Sequence, residues 1–278
     1  MKDKVLFGLS NIHFVEFGTD ANGEAQLGSN PYHLPGAVKM SLDPETGEVK
    51  FKADNIDYYV DYSDNGYEGE LEMALFPDDF KVRFLNYVPD GNGGVTQVKQ
   101  KKKKAVAIIF QGEGDALGRR GILYNVALGA VKREYNTIED NKDPKTATLP
   151  FKVSGDNKTG IVQTCYNKGA DGYDTIFSQP PLPVLPEVYA LSTDTAVASG
   201  KTYYTVTATA VANPDDVELA LYYDKTGSDQ NATYALTEDK TVDSTKTYYT
   251  LEGSAVASPT GNPSTSKYYE ASTISLQQ

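Results

Sequence analysis

The chain has 278 residues, of which 39% are hydrophobic and 23% charged, with a formal net charge of −12 at pH 7. A chain this acidic is not expected to bind nucleic acid, because cationic side chains supply most of the affinity for phosphates. One cysteine and two histidines exclude a disulfide framework and a cysteine-rich zinc module, and leave little for histidine chemistry. No apolar run approaches the roughly 20 residues that span a bilayer, and the start, MKDKVLFGLSN, is too short in apolar residues to predict a signal peptide. The composition predicts a soluble protein made in a reducing compartment.

Alternation of apolar and polar residues predicts β-strands through the first part of the chain. The alternating segments are 38–42, 49–51, 70–73, 121–128 and 149–153, with a turn predicted at 43–47. Two faces are expected to be apolar, one with Ile122, Tyr124, Val126 and Leu128 and one with Leu149, Phe151 and Val153. The run 105–110 is apolar at every position, so it predicts a central strand that is covered on both faces.

One amphipathic helix is predicted after a proline at residue 77. The acids Asp78 and Asp79 follow that proline, which is typical of a helix start and explains the paired carboxylates as capping residues. Phe80, Phe84 and Tyr87 then recur at the spacing of one helix face. The predicted fold class is therefore mainly β, a sandwich or barrel that carries one amphipathic helix.

The composition of the chain changes near residue 180. All Phe, Met, His, Cys and Arg residues lie within 1–186, whereas ten of the twenty Tyr lie within 187–278. Four prolines fall within 179–186, and proline favours extended, semi-rigid segments. We therefore predict a first domain at 1–178, a proline-rich linker at 179–188 and a second domain at 189–278. A proline-rich surface loop within a single domain is the alternative.

The second region contains an internal repeat. Residues 189–205 align without gaps on 234–250, with eleven of seventeen positions identical. The period of 45 predicts two units, 189–233 and 234–278, and such self-similarity indicates one supersecondary unit used twice. Within the first unit we expect a strand at 201–210 and a short helix from Asn213 to about Tyr223.

An ordered set of segments in the first region resembles the major tail tube proteins of long, flexible-tailed bacteriophages. These segments are VLFGLSNIH (5–13), LPGAV (34–38), SLDPE (41–45), ADN (53–55) with YYV (58–60), NGYEG (65–69), PDDF (77–80) and GRRGILYN (118–125). The resemblance covers roughly residues 4–155 and leaves out the lysine run 101–104. It implies a β-sandwich subunit that forms hexameric rings, which stack into the tube through which DNA is delivered to the host. The repeats at 189–278 lie outside it and resemble optional decorations of the tail exterior.

The same resemblance implies the partners and the location of the protein. The subunit would bind copies of itself, the tape measure protein and the tail terminator and initiator proteins. Double-stranded DNA would pass through the lumen without specific binding. The protein would be assembled in the cytoplasm of the host bacterium and reside in the virion, with no cofactor and no insertion into a membrane.

Three sets of residues are candidates for this role. The strands around 105–112 and 121–131 are expected to pair with a neighbouring copy, because unpaired strand edges are templates for pairing. The alternative, which is compatible with this role, is that they form the core of the domain. Glu68, Glu70 and Glu72 share one face of a strand and are candidate lumen acids, with a solvated outer face as the alternative. A loop at 88–104 is the candidate contact between rings, with a solvated hairpin end as the alternative; its residues are Asp90, Gly91, Lys101, Lys102, Lys103 and Lys104.

A second hypothesis is a binding protein of the bacterial cell surface that stacks tyrosines on carbohydrate, with weak, many-copy contact to host cell-wall glycans. Its candidate surface aromatics are Tyr203, Tyr204, Tyr248 and Tyr249. Consecutive residues of a strand point to opposite faces, so one tyrosine of each pair is expected in the core. An enzyme is not expected, because His13 and His33 lie in no recognisable catalytic motif and no metal-ligand pattern is present.

Overall fold

The described part of the chain folds mainly into antiparallel β-sheet, as the sequence predicts. The computed structural model describes residues 8–53, 56–99, 104–112, 118–135, 145–170, 172–212, 214, 221–227 and 232–273. Within these residues the chain forms seventeen strands and one α-helix. It divides into two compact units, Met1–Val184 and Leu185–Gln278, and the division lies inside the proline-rich segment.

The first unit is built on a nine-stranded sheet. Its strands are β1 (Leu9–Thr19), β2 (Ala25–Leu27), β3 (Tyr32–His33), β4 (Ala37–Ala53), β5 (Ile56–Met73), β8 (Ala105–Gly112), β9 (Arg120–Leu128), β10 (Ala147–Val153) and β11 (Gln163–Tyr166); β6 (Tyr87–Pro89) and β7 (Val95–Gln97) form a separate hairpin. The hydrogen-bonded order is β2-β1-β8-β9-β10-β5-β4, with β3 also on β1 and β11 also on β9. Cα atoms of β1 and β4 approach within 8 Å, so the sheet curls on itself.

Strand β8 lies between two apolar clusters, which confirms the prediction of a strand covered on both faces. Val106 and Ile108 belong to the larger cluster, on the side of the helix, and Ala107 and Ile109 belong to the smaller one. All four side chains are fully buried. Leu149, Phe151 and Val153 of β10 also share the face toward the larger cluster, as predicted.

The predicted helix, α1, spans Asp78–Phe84. Phe80 and Phe84 are fully buried, and their rings lie 4.8 and 5.8 Å from the ring of Phe14 on β1. The helix ends before Tyr87, which begins β6. The helix prediction is therefore confirmed for its first two aromatic residues, and burial of these rings fixes the helix against the sheet.

The two acids of the first helical turn do not form the predicted capping hydrogen bonds. Asp78 instead accepts a hydrogen bond from Nζ of Lys81 at 2.6 Å, and Asp79 accepts one from the hydroxyl of Tyr32 at 2.8 Å. Their charges still lie at the positive end of the helix dipole. Asp79 thus ties the helix start to β3 rather than to its own backbone.

The four residues predicted to share one face of β9 lie on two faces, because the strand has a bulge at Asn125. Ile122 and Tyr124 face the smaller cluster, whereas Val126 and Leu128 face the larger one. The register against β8 shifts between these two pairs, and Asn125 has a left-handed φ of 51°. An extra residue in one strand moves the side chains after it to the other face, so a single alternation cannot hold across the whole strand.

The turn predicted at 43–47 is absent, because β4 runs through it without a break. The pairing of β4 with β5 shifts between Pro44 and Thr46, where β5 has one extra residue between Asp64 and Tyr67. Proline is tolerated at such a position, at the edge of a sheet, because no neighbour needs its missing N–H.

The second unit is a six-stranded sheet. Its strands are β12 (Glu187–Leu191), β13 (Tyr204–Ala210), β14 (Tyr223–Thr226), β15 (Thr233–Leu236), β16 (Tyr248–Ala255) and β17 (Tyr269–Thr273). The strand order is β12-β17-β13-β16-β14-β15. The first repeat supplies β12, β13 and β14, and the second supplies β15, β16 and β17. Exchanging the equivalent strands of the two repeats gives the same order, read from the opposite edge of the sheet. Each half therefore places its third strand beside strands of the other half. Most of the helix predicted from Asn213 lies outside the described residues, and Tyr223 begins a strand.

Candidate functional site

The long strand β4 forms one margin of the large sheet and, among the described residues, is hydrogen-bonded to another strand on one side only. Strand β4 is last in the strand order and pairs with β5; within the described part of the chain, no strand pairs with its outer side. At roughly 3.3 Å per residue, its 17 residues extend about 56 Å. A strand edge of this length presents a row of backbone donors and acceptors to another chain.

The outer half of the β4–β5 hairpin projects beyond its neighbour in the sheet. Strand β10 pairs with β5 only over residues 67–73, whereas β4 and β5 stay paired as far as Ala53 and Ile56. In the described residues, β4 and β5 pair only with each other over 46–53 and 56–64, which we call the hairpin arm. A two-stranded ribbon alone is marginally stable in water, so the arm gains most from contact with another surface.

The strands predicted to pair with a neighbouring copy lie inside the sheet instead. Strand β8 is hydrogen-bonded to β1 and β9, and β9 is bonded to β8 on one side and to β10 and β11 on the other. The prediction for 105–112 and 121–131 is therefore wrong. These strands are apolar on both faces, which favours the sheet centre over its margin.

The three candidate lumen acids lie together on the outer face of β5. Glu68 and Glu70 are exposed and Glu72 is half-buried, while the intervening Leu71 and Met73 are fully buried on the other face. Asp43 of β4 is the strand partner of Glu68. We call this surface, with Glu45, the acidic face.

Lysines offset much of the charge of the acidic face. Lys152 lies 2.8 Å from Glu68 and 3.0 Å from Glu45, and these carboxylates raise the pKa of Lys152. Lys132 lies 2.6 Å from Glu70, and Lys39 is the strand partner of Glu72. The five carboxylates therefore face three ammonium groups, which leaves an excess of two negative charges.

Close packing lies beneath the acidic face. A Cβ atom at Gly69 would stand 2.5 Å from the ring of Phe151 and would also meet the backbone oxygen of Ser41. Together with Ala127 and Pro150, Gly69 lines a shallow open groove between β4, β5, β9 and β10. Charged side chains of the acidic face, including Glu68 and Glu70, line the same groove.

The candidate loop between rings is a tight hairpin end between β6 and β7. Asp90 Oδ1 accepts hydrogen bonds from the backbone N–H groups of Asn92 and Gly94, both at 2.8 Å, and these bonds lower the pKa of Asp90. Gly91 has a left-handed φ of 82°. Lys101, Lys102 and Lys103 lie outside the described residues, and Lys104 is exposed just before β8.

Two of the four candidate surface tyrosines are buried. Tyr203 and Tyr248 are 0% exposed, and their hydroxyls donate to Asp194 at 2.5 Å and to Asp239 at 2.7 Å. A fully buried ring cannot stack on a carbohydrate, so the surface prediction is wrong for these two residues. The expectation that one tyrosine of each pair lies in the core is met.

The other two tyrosines are half-buried and already paired. Tyr204 packs edge-to-face on Tyr189 with ring centroids 5.6 Å apart, and Tyr249 packs the same way on Tyr234 at 5.4 Å. Part of the surface of each ring is therefore covered by the other tyrosine of its pair. The structure therefore does not bring the four tyrosines together into one platform.

The two histidines form a cluster that the sequence did not predict. His13 and His33 are partners across β1 and β3, and their rings stack with centroids 4.7 Å apart. The ring of Phe177 also packs on His13, with centroids 4.7 Å apart, and the Arg120 guanidinium lies 4.9 Å from the Phe177 ring. Burial lowers the pKa of His13, and the charge of His33 lowers it further. The two histidines are twenty residues apart in the sequence, and the register of β1 with β3 brings them into contact. No local pattern in the sequence predicts this contact.

Within the described residues, no cluster of three or more His, Cys, Asp or Glu side chains could hold a metal ion. None of the helical segments described is long and apolar enough to cross a membrane.

Comparison with known proteins finds little that is similar. No family model matches the chain, and no curated protein matches it. One solved structure that it resembles is the sheath–tube complex of an extracellular contractile injection system, PVC, in its extended state. The similarity covers 59% of this chain and 93% of that chain, with 8% sequence identity and a TM-score of 0.36. A TM-score this low does not establish a common fold, and that particle is not a flexible-tailed bacteriophage.

Proposed function

We propose that this chain is a structural subunit of a phage-tail-like particle and assembles with copies of itself into a tube. The observation that carries the proposal is the margin of β4, which pairs on one side with β5 and has no strand partner on the other within the described residues. Open margins are costly in a protein that stays monomeric, because they template pairing with other chains. A ring of subunits joined margin to margin removes them.

Ring closure needs a second margin on each subunit. The opposite side of the sheet ends in β2 and β3, which have three and two residues and both lie on β1. We infer that β4 of one copy meets this margin of the next, and that the hairpin arm lies against a neighbouring subunit. Hexameric rings, stacking of rings and the tail partners follow from the sequence resemblance and are part of the proposal.

The acidic face suits the wall of a conduit for DNA. Its excess of two negative charges disfavours lasting contact with phosphates, while its three lysines keep the repulsion moderate. Screening at physiological salt limits such repulsion to about 8–10 Å. The second unit would decorate the exterior of the tube, and the particle would need neither catalysis nor a cofactor from this chain.

Cysteine pairs test the inferred contact directly. In a Cys165→Ser background, Thr46→Cys on β4 and Gln26→Cys on β2 are placed in separately purified proteins, which are mixed under assembly conditions and oxidised. The proposal predicts a disulfide-linked pair of the two variants, because a disulfide needs Cα atoms within about 7 Å. Thr96→Cys on β7 replaces Gln26→Cys as the matched control, since β7 lies on neither margin.

Electron microscopy and light scattering provide the second readout. The proposal predicts rings or tubes in negative-stain images of the full chain, and assembly that persists after residues 187–278 are deleted. A protein that stays monomeric at every concentration, with or without a tail initiator, would contradict it. Equal crosslinking of Thr46→Cys to Gln26→Cys and to Thr96→Cys would refute the inferred margin contact alone.

A further inference from the structure

Three Asn-Gly dipeptides lie in the first unit, two of them in loops and one within β5. They differ in what holds the glycine amide. The dipeptides are Asn22-Gly23, Asn65-Gly66 and Asn92-Gly93. At such a dipeptide the glycine nitrogen can attack the asparagine side-chain amide, because glycine has no Cβ to block the approach. The attack needs a free, deprotonated backbone nitrogen. A hydrogen bond from that N–H therefore slows the reaction.

Two of the three glycine amides are held. The N–H of Gly23 donates to the backbone oxygen of Asp20 at 3.1 Å. The N–H of Gly66 donates to Oδ1 of Asp64 at 3.0 Å, and Gly66 is buried against β10. Attack at either site requires the fold to break a hydrogen bond first.

The third glycine amide is free within the described part of the chain. Asn92 and Gly93 are both exposed, and neither the Gly93 N–H nor the Asn92 side chain has a hydrogen-bond partner among the described residues. The neighbouring amides of Asn92 and Gly94 are held by Asp90. These bonds fix the loop while leaving the reacting pair unprotected.

The loop at 20–24 is a close internal match for the loop at 90–94. Both have the sequence pattern Asp-x-Asn-Gly-x, and in both the aspartate Oδ1 accepts from the amides two and four residues later. They differ at the second position, which is Ala21 in one and Gly91, with a φ of 82°, in the other. The Ala21 loop forms the bond that holds the glycine amide, and the Gly91 loop does not.

We propose that Asn92 is a site of spontaneous covalent modification, at which the native fold directs deamidation. The Gly93 nitrogen attacks Cγ of Asn92; the N–Cγ bond forms, the Cγ–Nδ2 bond breaks, and ammonia leaves with the proton of the Gly93 amide. Water then opens the cyclic imide at Cγ to give aspartate, or at the backbone carbonyl to give isoaspartate. The product carries a new carboxylate two residues from Asp90, and isoaspartate lengthens the backbone of the hairpin end.

Peptide mapping of the full-length folded protein during incubation at mildly alkaline pH measures all three sites in one sample. We expect Asn92 to react about tenfold faster than Asn22 or Asn65, a ratio that corresponds to about 1.4 kcal/mol and matches the net value of about one hydrogen bond. The same chain unfolded in urea is the control, where all three sites should react alike because each precedes glycine. Equal rates in the folded protein, or a preference for Asn92 that persists in urea, would overturn the proposal.

Gly91→Ala tests the cause. Alanine disfavours a φ of 82°, so the loop should adopt the conformation of its Ala21 counterpart and bind the Gly93 amide to the Asp90 backbone oxygen. No heavy atom lies within 4 Å of a Cβ at Gly91, so the variant should fold. Its Asn92 should then react as slowly as Asn22. An unchanged rate at Asn92 would show that the free amide is not what selects this site.

Discussion

Replacement of Asn125 tests whether one left-handed residue sets the two faces of β9. Asn125 has a φ of 51°, and its Nδ2 donates to the backbone oxygen of the buried Gly155 at 2.7 Å. Alanine pays about 1–2 kcal/mol in this conformation, and an unpaired buried carbonyl costs about 1–3 kcal/mol. We expect Asn125→Ala to lower the free energy of unfolding of the first unit by about 2–5 kcal/mol.

Asn125→Gly separates the two causes. Glycine adopts the left-handed conformation without strain but cannot donate to Gly155, so it should retain only the hydrogen-bond part of the loss. Asn157→Ala is the matched control, because Asn157 is exposed on a neighbouring loop and has no positive φ. Its effect should stay within about 0.5 kcal/mol.

Thermal and urea unfolding monitored by circular dichroism provide the measurement. A loss of this size lowers the Tm of a unit of about 180 residues by roughly 2–4 °C per kcal/mol. The transition of the second unit is an internal reference, since Asn125 lies in the first. If Asn125→Ala matches the wild type, or if Asn125→Gly is the less stable of the two, the bulge does not depend on this residue in the way argued.

Three further predictions concern packing and pH. Gly69→Ala should lower the stability of the first unit by about 1–3 kcal/mol, because its Cβ would stand 2.5 Å from the Phe151 ring. Gly18→Ala is the control and should have little effect, because no atom lies within 4 Å of its Cβ. Equal melting temperatures of the two variants would contradict the packing argument. The pKa of His13 is lowered in the folded protein. The contribution of His13 to the stability of the first unit should therefore be complete above the ordinary histidine pKa of about 6.5 and be lost as the pH falls through the lowered value. A pH series of Tm values should show this loss, and His13→Gln should remove the pH dependence. The pKa of Asp194 is lowered by Lys201 and Tyr203, so stability of the second unit should be complete above the ordinary aspartate pKa of about 3.9 and fall as the pH drops through the lowered value. Asp194→Asn should flatten this acid limb, and an unchanged limb would count against the contribution of the pair.

Local signals in the sequence were sufficient for several elements. The apolar run of β8 and the alternation of β10 predicted which residues are buried, and the spacing of Phe80 and Phe84 predicted the helix. Each of these signals lies within a few residues of chain. Its period follows from the geometry of one strand or one helix, so no knowledge of the neighbours is needed.

Errors arose wherever the answer depended on pairing with a distant segment. The segment 43–47 has typical turn residues, yet β5 pairs with β4 on both sides of it and keeps it within the strand. The face of β9 changes at Asn125 because Gly155, thirty residues away, supplies the acceptor. In the second unit, aspartates bind the hydroxyls of Tyr203 and Tyr248 and hold both rings in the core.

The sequence by itself determined that the chain is mainly β, where its central strand and helix lie, and that Glu68, Glu70 and Glu72 share a face. Only the tertiary structure decided that β4 rather than β8 or β9 forms the margin, and that lysines from other strands face those glutamates. It also decided that the two histidines stack. The physical reason is that the period of a strand is a local property, whereas its place in a sheet depends on which remote segments satisfy its hydrogen bonds.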